Sequence, residues 1–490
     1  MNIEHDAVDS LFGLDKEFLL KNQLLQILDN SPDYLTTSEL AAIIEEVSSV
    51  TIQQTCRKLQ RDCQDLYQAT ECEFLIHSNL GFRLIRKTIS FKKMIDFYAH
   101  QELSYSLLQE LFLYRELISY DFYENHHVSE STLRRKIRAI NQSLNKYNLH
   151  ITFAQKIKLT GSEIAIRSFY FYFLFLNYRQ LTAVPGLVEQ GFFESRTLKI
   201  QKHLGISMTL KELDVFSLIY YVHEHGVHSG TPLRLAAEEK ELFNKFNLPS
   251  KPIFLNNWSI DDWQFFLLFT ISTNLFQHEF SVTSKDLLTP LFVFESQTWN
   301  RAFKVTFHQL TSEEKELVNL SIQKTLILST FISIEDELFR LFQMINFDAF
   351  KQQNPYFYER FEQFWDDFRF KVPQLDTSSF KFTSLMLTIH LSPLETQLYS
   401  LQIAVYSEVS SLFSHYLFDR LNSKFKVKYD FNFTPDFDEA DLIITTFPLS
   451  AEEYKETPHI IVDPLLTQND LTRIEKIIQN VVKKEQENYF

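Results

Sequence analysis

Glycine is the residue that most restricts what this chain can fold into, because only 8 of its 490 residues are glycine. Large β-barrels and β-sandwiches need many tight turns, which glycine forms at the lowest conformational cost. Phenylalanine, by contrast, occurs 48 times, and hydrophobic residues make up 45% of the chain. The sequence therefore predicts a mainly α, multidomain protein with bulky cores, and its length allows roughly three domains.

A first helix-turn-helix pattern occupies residues 16–93. Apolar residues at helical spacing in KEFLLKNQLLQIL predict one helix, and Thr36 with Glu39 predicts the capping box of a second. A third helix has an inward stripe made of Ile52, Cys56, Leu59, Cys63 and Leu66. The segment EFLIHSNLGFRLIRK then predicts a hairpin that turns at Ser78-Asn79. This order of elements is typical of a winged helix-turn-helix.

The outward face of this third helix is polar and basic. Its candidate DNA contacts are Thr51, Gln53, Gln54, Arg57, Lys58 and Arg61, and Arg83 or Arg86 are candidates in the wing. Between Thr51 and His100 there are eight basic and five acidic residues, a net charge of +3 (8 − 5). The alternative is that this unit mainly packs against its neighbour.

A second pattern of the same kind lies between Ser104 and Arg167 and is more basic. Ser129 is a candidate N-cap, and an inward stripe follows at Leu133, Ile137, Ile140 and Leu144. The predicted outward face carries Arg134, Arg135, Arg138, Asn141 and Gln142. Residues 131–161 hold seven Lys or Arg and no Asp or Glu, a net charge of +7 in a chain of −15. Such a cluster is typical of DNA binding, although a solvated helix face is the alternative, and which arginines touch bases or phosphates stays open.

The pattern of helices and strands divides the chain into five predicted segments. Residues 1–95 and 96–168 are the two winged helix-turn-helix units, and residues 169–287 and 288–395 are two helical bundles that meet near Pro290. Residues 396–490 alternate strands with helices, which indicates a small α/β domain.

Two segments carry a resemblance to a known family: SESTLRRKIRAINQSLNKYNLHI (129–151) and LTGSEIAIRSFYF (159–171). The chain resembles the Mga-type virulence regulators of Gram-positive bacteria. The second segment matches the pattern L-x-G-x-E-x-x-I-R, which follows the helix-turn-helix in regulators with phosphotransferase-regulation domains. The resemblance implies two DNA-binding units, two regulation domains and an EIIB-like C-terminal domain linked to self-association. It also implies DNA binding with modest sequence specificity.

In the wider family, histidines of the regulation domains can be phosphorylated by the sugar phosphotransferase system. The candidates here are His203, His223 and His225 in the first domain and His308 in the second, where His390 is also available. Phosphorylation needs an exposed imidazole nitrogen, and an ordinary surface or core histidine is the alternative at each position. The spacing of His223, His225 and His228 could also suggest a metal, but no further ligand at suitable spacing supports one.

The EIIB-like domain departs from its family at one position. True EIIB domains carry a phosphorylatable cysteine just after their first strand, whereas Ser407-Glu408-Val409-Ser410 follows the strand here. No cysteine occurs beyond Cys72. We therefore expect no phosphocysteine chemistry and a structural or dimerising role.

The remaining patterns argue against other functional classes. No Walker loop, G-x-S-x-G, H-E-x-x-H or dinucleotide fingerprint occurs, so we predict no enzyme, no catalytic residue, no cofactor and no metal. The N-terminal segment lacks the features of a secretory signal, and the apolar run 169–176 is too short for a membrane span, so we expect a cytoplasmic protein without membrane contact. The predicted partners are double-stranded DNA, a second copy of the chain and the phosphocarrier protein. The alternative is an RNA-binding antiterminator, or a phosphotransferase-system interaction protein that does not bind DNA.

Overall fold

The chain forms two compact units in the computed structural model, which describes residues 14–44, 47–179, 181, 184, 190–230, 233–273, 275–276, 283–284, 292–331, 347–426, 428–449 and 457–488. One unit consists of Met1–Leu291 with Ser321–Met344, and the other of Phe292–Leu320 with Ile345–Phe490. The predicted border at 287/288 lies outside the described residues, and the other predicted borders stay predictions.

The first unit opens with a winged helix-turn-helix. Its elements are α1 (Lys16–Asp29), α2 (Thr37–Ile44), α3 (Ser49–Leu66), β1 (Cys72–His77) and β2 (Gly81–Arg86). The strands β1 and β2 are antiparallel and form the predicted hairpin.

Local hydrogen bonds set where these elements begin. The predicted capping box starts α2, since the Glu39 backbone N–H donates to Thr36 Oγ1 and the Thr36 N–H donates to Glu39 Oε2.

The wing then returns to the segment before α2, where a Cβ on Gly81 would lie 2.1 Å from the Leu35 carbonyl oxygen. Because Gly81 also has a positive φ of 97°, only glycine fits this close approach without strain.

A second winged helix-turn-helix follows after the connecting helix α4 (Lys92–Gln101). Its elements are α5 (Leu103–Tyr114), β3 (Glu116–Ile118), α6 (Ser119–Asn125), α7 (Glu130–Leu144), β4 (His150–Phe153) and β5 (Lys156–Thr160). The strands form an antiparallel sheet in the order β3-β5-β4, so the wing hairpin is joined by a strand that the sequence did not predict. The strand β4 is therefore an edge strand, and its free side faces α7.

The rest of the first unit is helical and rich in aromatic residues. Its elements are α8 (Glu163–Tyr178), α9 (Gln190–Leu204), α10 (Leu210–His228), α11 (Ala237–Asn244) and α12 (Ile260–Ser272), with the short strands β6 (Phe246–Asn247) and β7 (Thr283–Ser284). Its core includes Phe216, Tyr220, Trp258, Phe265 and Phe266, all buried. We call the part from α8 to α12 the helical segment.

The second unit combines helices with a small sheet. Its helices before the sheet are α13 (Val293–Thr306), the first part of α14 (Ser312–Phe331), α15 (Phe347–Gln353), α16 (Pro355–Lys371) and α17 (Ser378–Leu391). The sheet region comprises β8 (Tyr399–Tyr406), α18 (Ser411–Phe425), β9 (Tyr429–Phe433), β10 (Leu442–Thr445), β11 (His459–Ile461) and α19 (Gln468–Asn488). All strand pairs are parallel, in the order β11-β10-β8-β9.

The predicted fold class is confirmed: the chain is mainly α and multidomain, with a small C-terminal α/β region. In that region, apolar side chains of α18 and α19 pack on the sheet around Ile403, Leu442 and Ile474. Over the described ranges, no helix combines the length and the apolar character needed to cross a lipid bilayer.

Candidate nucleic-acid interface

Helix α7 is held in place by a cap at its start and by one buried stripe. Ser129 is the N-cap, and its Oγ accepts a hydrogen bond from the Thr132 backbone N–H at 3.1 Å. The predicted stripe is buried in the second winged helix: Leu133, Ile137, Ile140 and Leu144. Because an α-helix repeats every 3.6 residues, burial of this stripe turns the opposite side of α7 to solvent.

That opposite side carries three exposed arginines in two different environments. The Arg134 Nη2 donates to Glu130 Oε1 at 2.8 Å, and its guanidinium lies 4.4 Å from the centre of the Phe153 ring. Arg135 and Arg138 are exposed and form no ion pair within the described part of the chain. Gln142 is also exposed. We call Arg134, Arg135, Arg138 and Gln142 the outer face of α7.

Acids from other elements neutralise much of the basic window around α7. Lys136 Nζ lies 2.7 Å from Asp15 Oδ1, and only 13% of the Lys136 side chain is exposed. Lys156 and Lys158 both bind the carboxylate of Glu116 on β3, and their hydrogen bonds hold the pKa of Glu116 below its ordinary value. With Arg134 paired to Glu130, the charge that α7 presents to a polyanion comes mainly from Arg135 and Arg138.

Asn141 was predicted on the outward face, and the structure corrects this. Its side chain is buried, the Asn141 Nδ2 donates to the Ile151 carbonyl at 2.8 Å, and the Ile151 N–H donates to Asn141 Oδ1 at 2.7 Å. The amide thus pairs with the backbone of the edge strand β4 as a neighbouring strand would. Asn141 fixes the wing against α7 and is not a candidate DNA contact.

The corresponding helix of the first winged helix-turn-helix, α3, also turns a polar face to solvent. Ser48 caps it by accepting from the Thr51 N–H, and the exposed predicted residues are Thr51, Gln53, Gln54, Arg57, Lys58 and Arg61. Arg57 and Arg61 form no ion pair among the residues that the structure describes. These two arginines match Arg135 and Arg138 of α7 in environment.

The other basic candidates of the first winged helix-turn-helix already contact other side chains of the fold. Lys58 Nζ lies 2.9 Å from Glu17 Oε1 on α1. Arg86 pairs with Asp29, with 2.9 Å between its Nη2 and Oδ2, and the Arg83 guanidinium lies 5.8 Å from the centre of the Tyr34 ring. Contact of Lys58 or Arg86 with DNA would therefore compete with an existing ion pair.

His223 lies in the core of the helical segment. Its ring is fully buried against Trp258, Phe265 and Phe269, and its Nδ1 donates to the Ile219 carbonyl at 2.9 Å. Burial, with a smaller contribution from the positive charge of Arg167, lowers the pKa of His223 to about 3. His223 does not meet the requirement of an exposed nitrogen for phosphorylation.

The other candidate histidines differ in access. His225 Nε2 donates to the Phe112 carbonyl at 2.6 Å, and burial followed by the charge of Arg115 lowers its pKa to about 4. His203 is exposed, with 2.8 Å between its Nε2 and the Ser250 carbonyl. His308 is half-buried beside the Phe303 ring. His223, His225 and His228 point to different backbone carbonyls, and within the described ranges no group of three His, Cys, Asp or Glu residues could hold a metal.

A comparison with protein families matches this region. Residues 87–175 fit the family described as the Mga helix-turn-helix domain. The match begins just before α4, contains all of the second winged helix and ends within α8. This region of the chain is therefore similar to the Mga helix-turn-helix domain, which is consistent with an Mga-type regulator and points to a DNA-binding transcription regulator. No curated protein matches the chain at a significant level.

Sequence patterns missed the acids that pair with the basic window and the ring that holds Arg134. Asp15 is 121 positions from Lys136, and Glu116 is 40 positions from Lys156. A count of charged residues over a short window of sequence cannot detect pairs between such distant positions. Phe153 was not among the residues that the sequence singled out.

We predict that Asn141→Ala lowers the free energy of unfolding by about 2 kcal/mol, because it leaves the buried N–H and C=O of Ile151 without partners. Urea unfolding measures this loss. Gln142→Ala is the matched control, since Gln142 is the adjacent exposed amide, and its effect should stay within about 0.5 kcal/mol. Equal effects of the two variants would contradict the role of Asn141 as the partner of the wing.

We predict that His223 makes the protein less stable in mild acid. A pKa lowered to about 3 means that the unfolded chain takes up the proton first, so its contribution to stability falls as pH drops below the ordinary value of about 6.5. Between pH 7 and pH 5 this loss is about 2 kcal/mol for one group. His223→Leu should flatten the pH dependence of urea unfolding, whereas His203→Leu, at an exposed position, should not. Parallel curves for wild type and His223→Leu would disprove the assignment.

Proposed function

We propose that the protein is a transcription regulator that binds duplex DNA through α7. The observation that carries this proposal is the outer face of α7, which lies on the third helix of a winged helix-turn-helix inside the matched residues 87–175. In helix-turn-helix proteins this helix enters the major groove. There an arginine can bind the O6 and N7 of guanine, and a glutamine can bind the N6 and N7 of adenine.

We propose that α3 of the first winged helix-turn-helix makes a second contact with DNA. Arg57 and Arg61 lie on its exposed face with Gln53 and Gln54 beside them, which repeats the chemistry of the outer face of α7. Each helix thus offers only two arginines without an ion pair among the described residues. Because affinity for DNA grows with the number of phosphates neutralised, two weak contacts per chain favour a dimer or larger assembly that binds several sites together.

The first test removes the two unpaired arginines of α7. Arg135→Ala with Arg138→Ala should weaken binding to duplex DNA and reduce the slope of log K against log salt by about 2, since each lost phosphate contact changes it by about 0.9. The measurement is a salt titration of affinity for one duplex. Lys424→Ala with Lys426→Ala is the matched control, because it removes the same charge from exposed positions of the C-terminal α/β region.

The outcomes separate the candidate functions. If the α7 variant keeps the wild-type slope while Arg57→Ala with Arg61→Ala reduces it, α3 carries the contact and the assignment to α7 is wrong. If neither pair matters and the chain prefers RNA hairpins to duplex DNA in competition, the antiterminator is the better hypothesis. If it binds neither nucleic acid but binds the phosphocarrier, it is an interaction protein.

We further propose that histidine phosphorylation by the sugar phosphotransferase system tunes the regulator, at His203 or His308. His203 is exposed and His308 is half-buried, whereas His223 is completely buried. A phosphoryl group adds negative charge, which would be costly inside the aromatic core around His223.

Incubation with the purified phosphocarrier system and labelled phosphoenolpyruvate should place an acid-labile label on the chain. The label should fall in His203→Ala or His308→Ala and be unchanged in His77→Ala, which replaces an exposed histidine of the first wing. A label that persists in the double variant at His203 and His308, or no label on any histidine, would rule out these sites.

A further inference from the structure

A cluster of four charged side chains lies where the second winged helix meets the helical segment. Arg167 is completely buried, and its Nε donates to Glu163 Oε1 at 3.0 Å while its Nη1 donates to Asp262 Oδ1 at 2.7 Å. The same Glu163 Oε1 accepts from Arg115 Nη2 at 3.0 Å. Two guanidinium groups and two carboxylates therefore balance in charge. We call Arg115, Glu163, Arg167 and Asp262 the ion cluster.

The members of the ion cluster come from three separate elements. Arg115 follows the last residue of α5 in the second winged helix, Glu163 and Arg167 lie in the first two turns of α8, and Asp262 lies in the first turn of α12. Asp262 also closes the capping box of α12, because its Oδ2 accepts from the N–H and the hydroxyl of Ser259. One continuous chain of hydrogen bonds thus runs from the end of α5 to the start of α12.

The side chains of the ion cluster are tightly packed and depend on one another for their stability. Helix α10 passes so close that a Cβ on Gly226 would lie 2.2 Å from Arg167 Nε. Although burial alone would raise the pKa of Asp262, the hydrogen bonds from Ser259 and the charge of Arg167 hold it below the ordinary value. Because an unpaired buried charge is costly, loss of any one pair destabilises the others.

A second bond joins the same two parts of the chain. His225 of α10 donates from Nε2 to the carbonyl of Phe112, three residues before Arg115, and the two rings lie 4.6 Å apart between centres. The last turn of α5 is thus held by Glu163 through Arg115 and by α10 through His225. A displacement of α10 or α12 would act directly on α5, which packs beside α7 in the winged helix.

We infer that the ion cluster couples the helical segment to the DNA-binding unit, so that DNA binding at α7 and the state of α10 and α12 depend on each other. This inference rests on the proposed function in one respect, namely that the second winged helix binds DNA. Linkage requires the effect to be reciprocal: whatever the helical segment does to DNA affinity, DNA must do to the helical segment. The reciprocal effect can be measured without knowing which signal the helical segment receives.

The test is hydrogen exchange of the full chain with and without saturating duplex DNA, in wild type and in Arg115→Asn. Asparagine tolerates the left-handed backbone of Arg115, whose φ is 62°, and the Arg167 pairs with Glu163 and Asp262 remain. In wild type we expect DNA to slow exchange in the first two turns of α12 by about fivefold or more. In Arg115→Asn the DNA should still bind, but this slowing should be smaller, because the bond from His225 to Phe112 remains.

Arg179→Asn is the matched control, because Arg179 is also a left-handed arginine at the end of a helix, with a φ of 64°, and lies outside the ion cluster. It should keep the wild-type response. Slowing at α12 that is undiminished in Arg115→Asn, or wild type that binds DNA without any slowing at α12, would overturn the inference. If wild type binds no duplex DNA, the proposed function fails. The DNA-free samples then decide: faster exchange at α12 in Arg115→Asn but not in Arg179→Asn supports the coupling, and unchanged exchange refutes it.

Discussion

The completely buried guanidinium of Arg167 determines how the helices around it must be placed. Such a charge is stable in a protein interior only when acceptors are placed at its nitrogens. Glu163 supplies one from the preceding turn of α8, and Asp262 supplies another from α12. Gly226 supplies the space, since any side chain there would collide with the guanidinium. One charge therefore fixes how α8, α10 and α12 meet, and through Glu163 and Arg115 it also fixes the end of α5.

Charges also pair at the surface around α7, but there the pairing reduces the positive charge that is available to a ligand. The window 131–161 has a net charge of +7 in sequence, yet Lys136, Lys156 and Lys158 bind acids from other elements. These pairs are partly exposed and contribute little stability, but they reduce the positive field that a polyanion meets. The unpaired positive charge of α7 is thus smaller than the sequence suggests, and it lies mainly on Arg135 and Arg138.

The parts of the fold that depend on local spacing could be predicted from sequence. The stripe from Leu133 to Leu144, the cap at Ser129 and the capping box at Thr36 all follow from contacts within one or two turns. Asn141 was misplaced because its position on the helix suits either solvent or the wing, and only the edge strand β4 decides between them. The burial of His223 likewise depends on Trp258 and Phe265, which lie more than thirty positions away. Patterns in sequence cannot register partners at that separation.

Within the outer face of α7, the arginines differ in their side-chain contacts as well as in ion pairing. Arg134 is held between the Glu130 carboxylate and the face of the Phe153 ring, so much of its side-chain entropy is already lost before any ligand binds. Arg135 and Arg138 are exposed, and each must give up rotamer freedom of the order of 1 kcal/mol when it forms a contact. A preorganised guanidinium favours directional contacts, whereas mobile ones suit phosphates, which accept from many directions. In the proposed complex with DNA, the wing residue Phe153 would thus position Arg134 of α7 without itself carrying a charge.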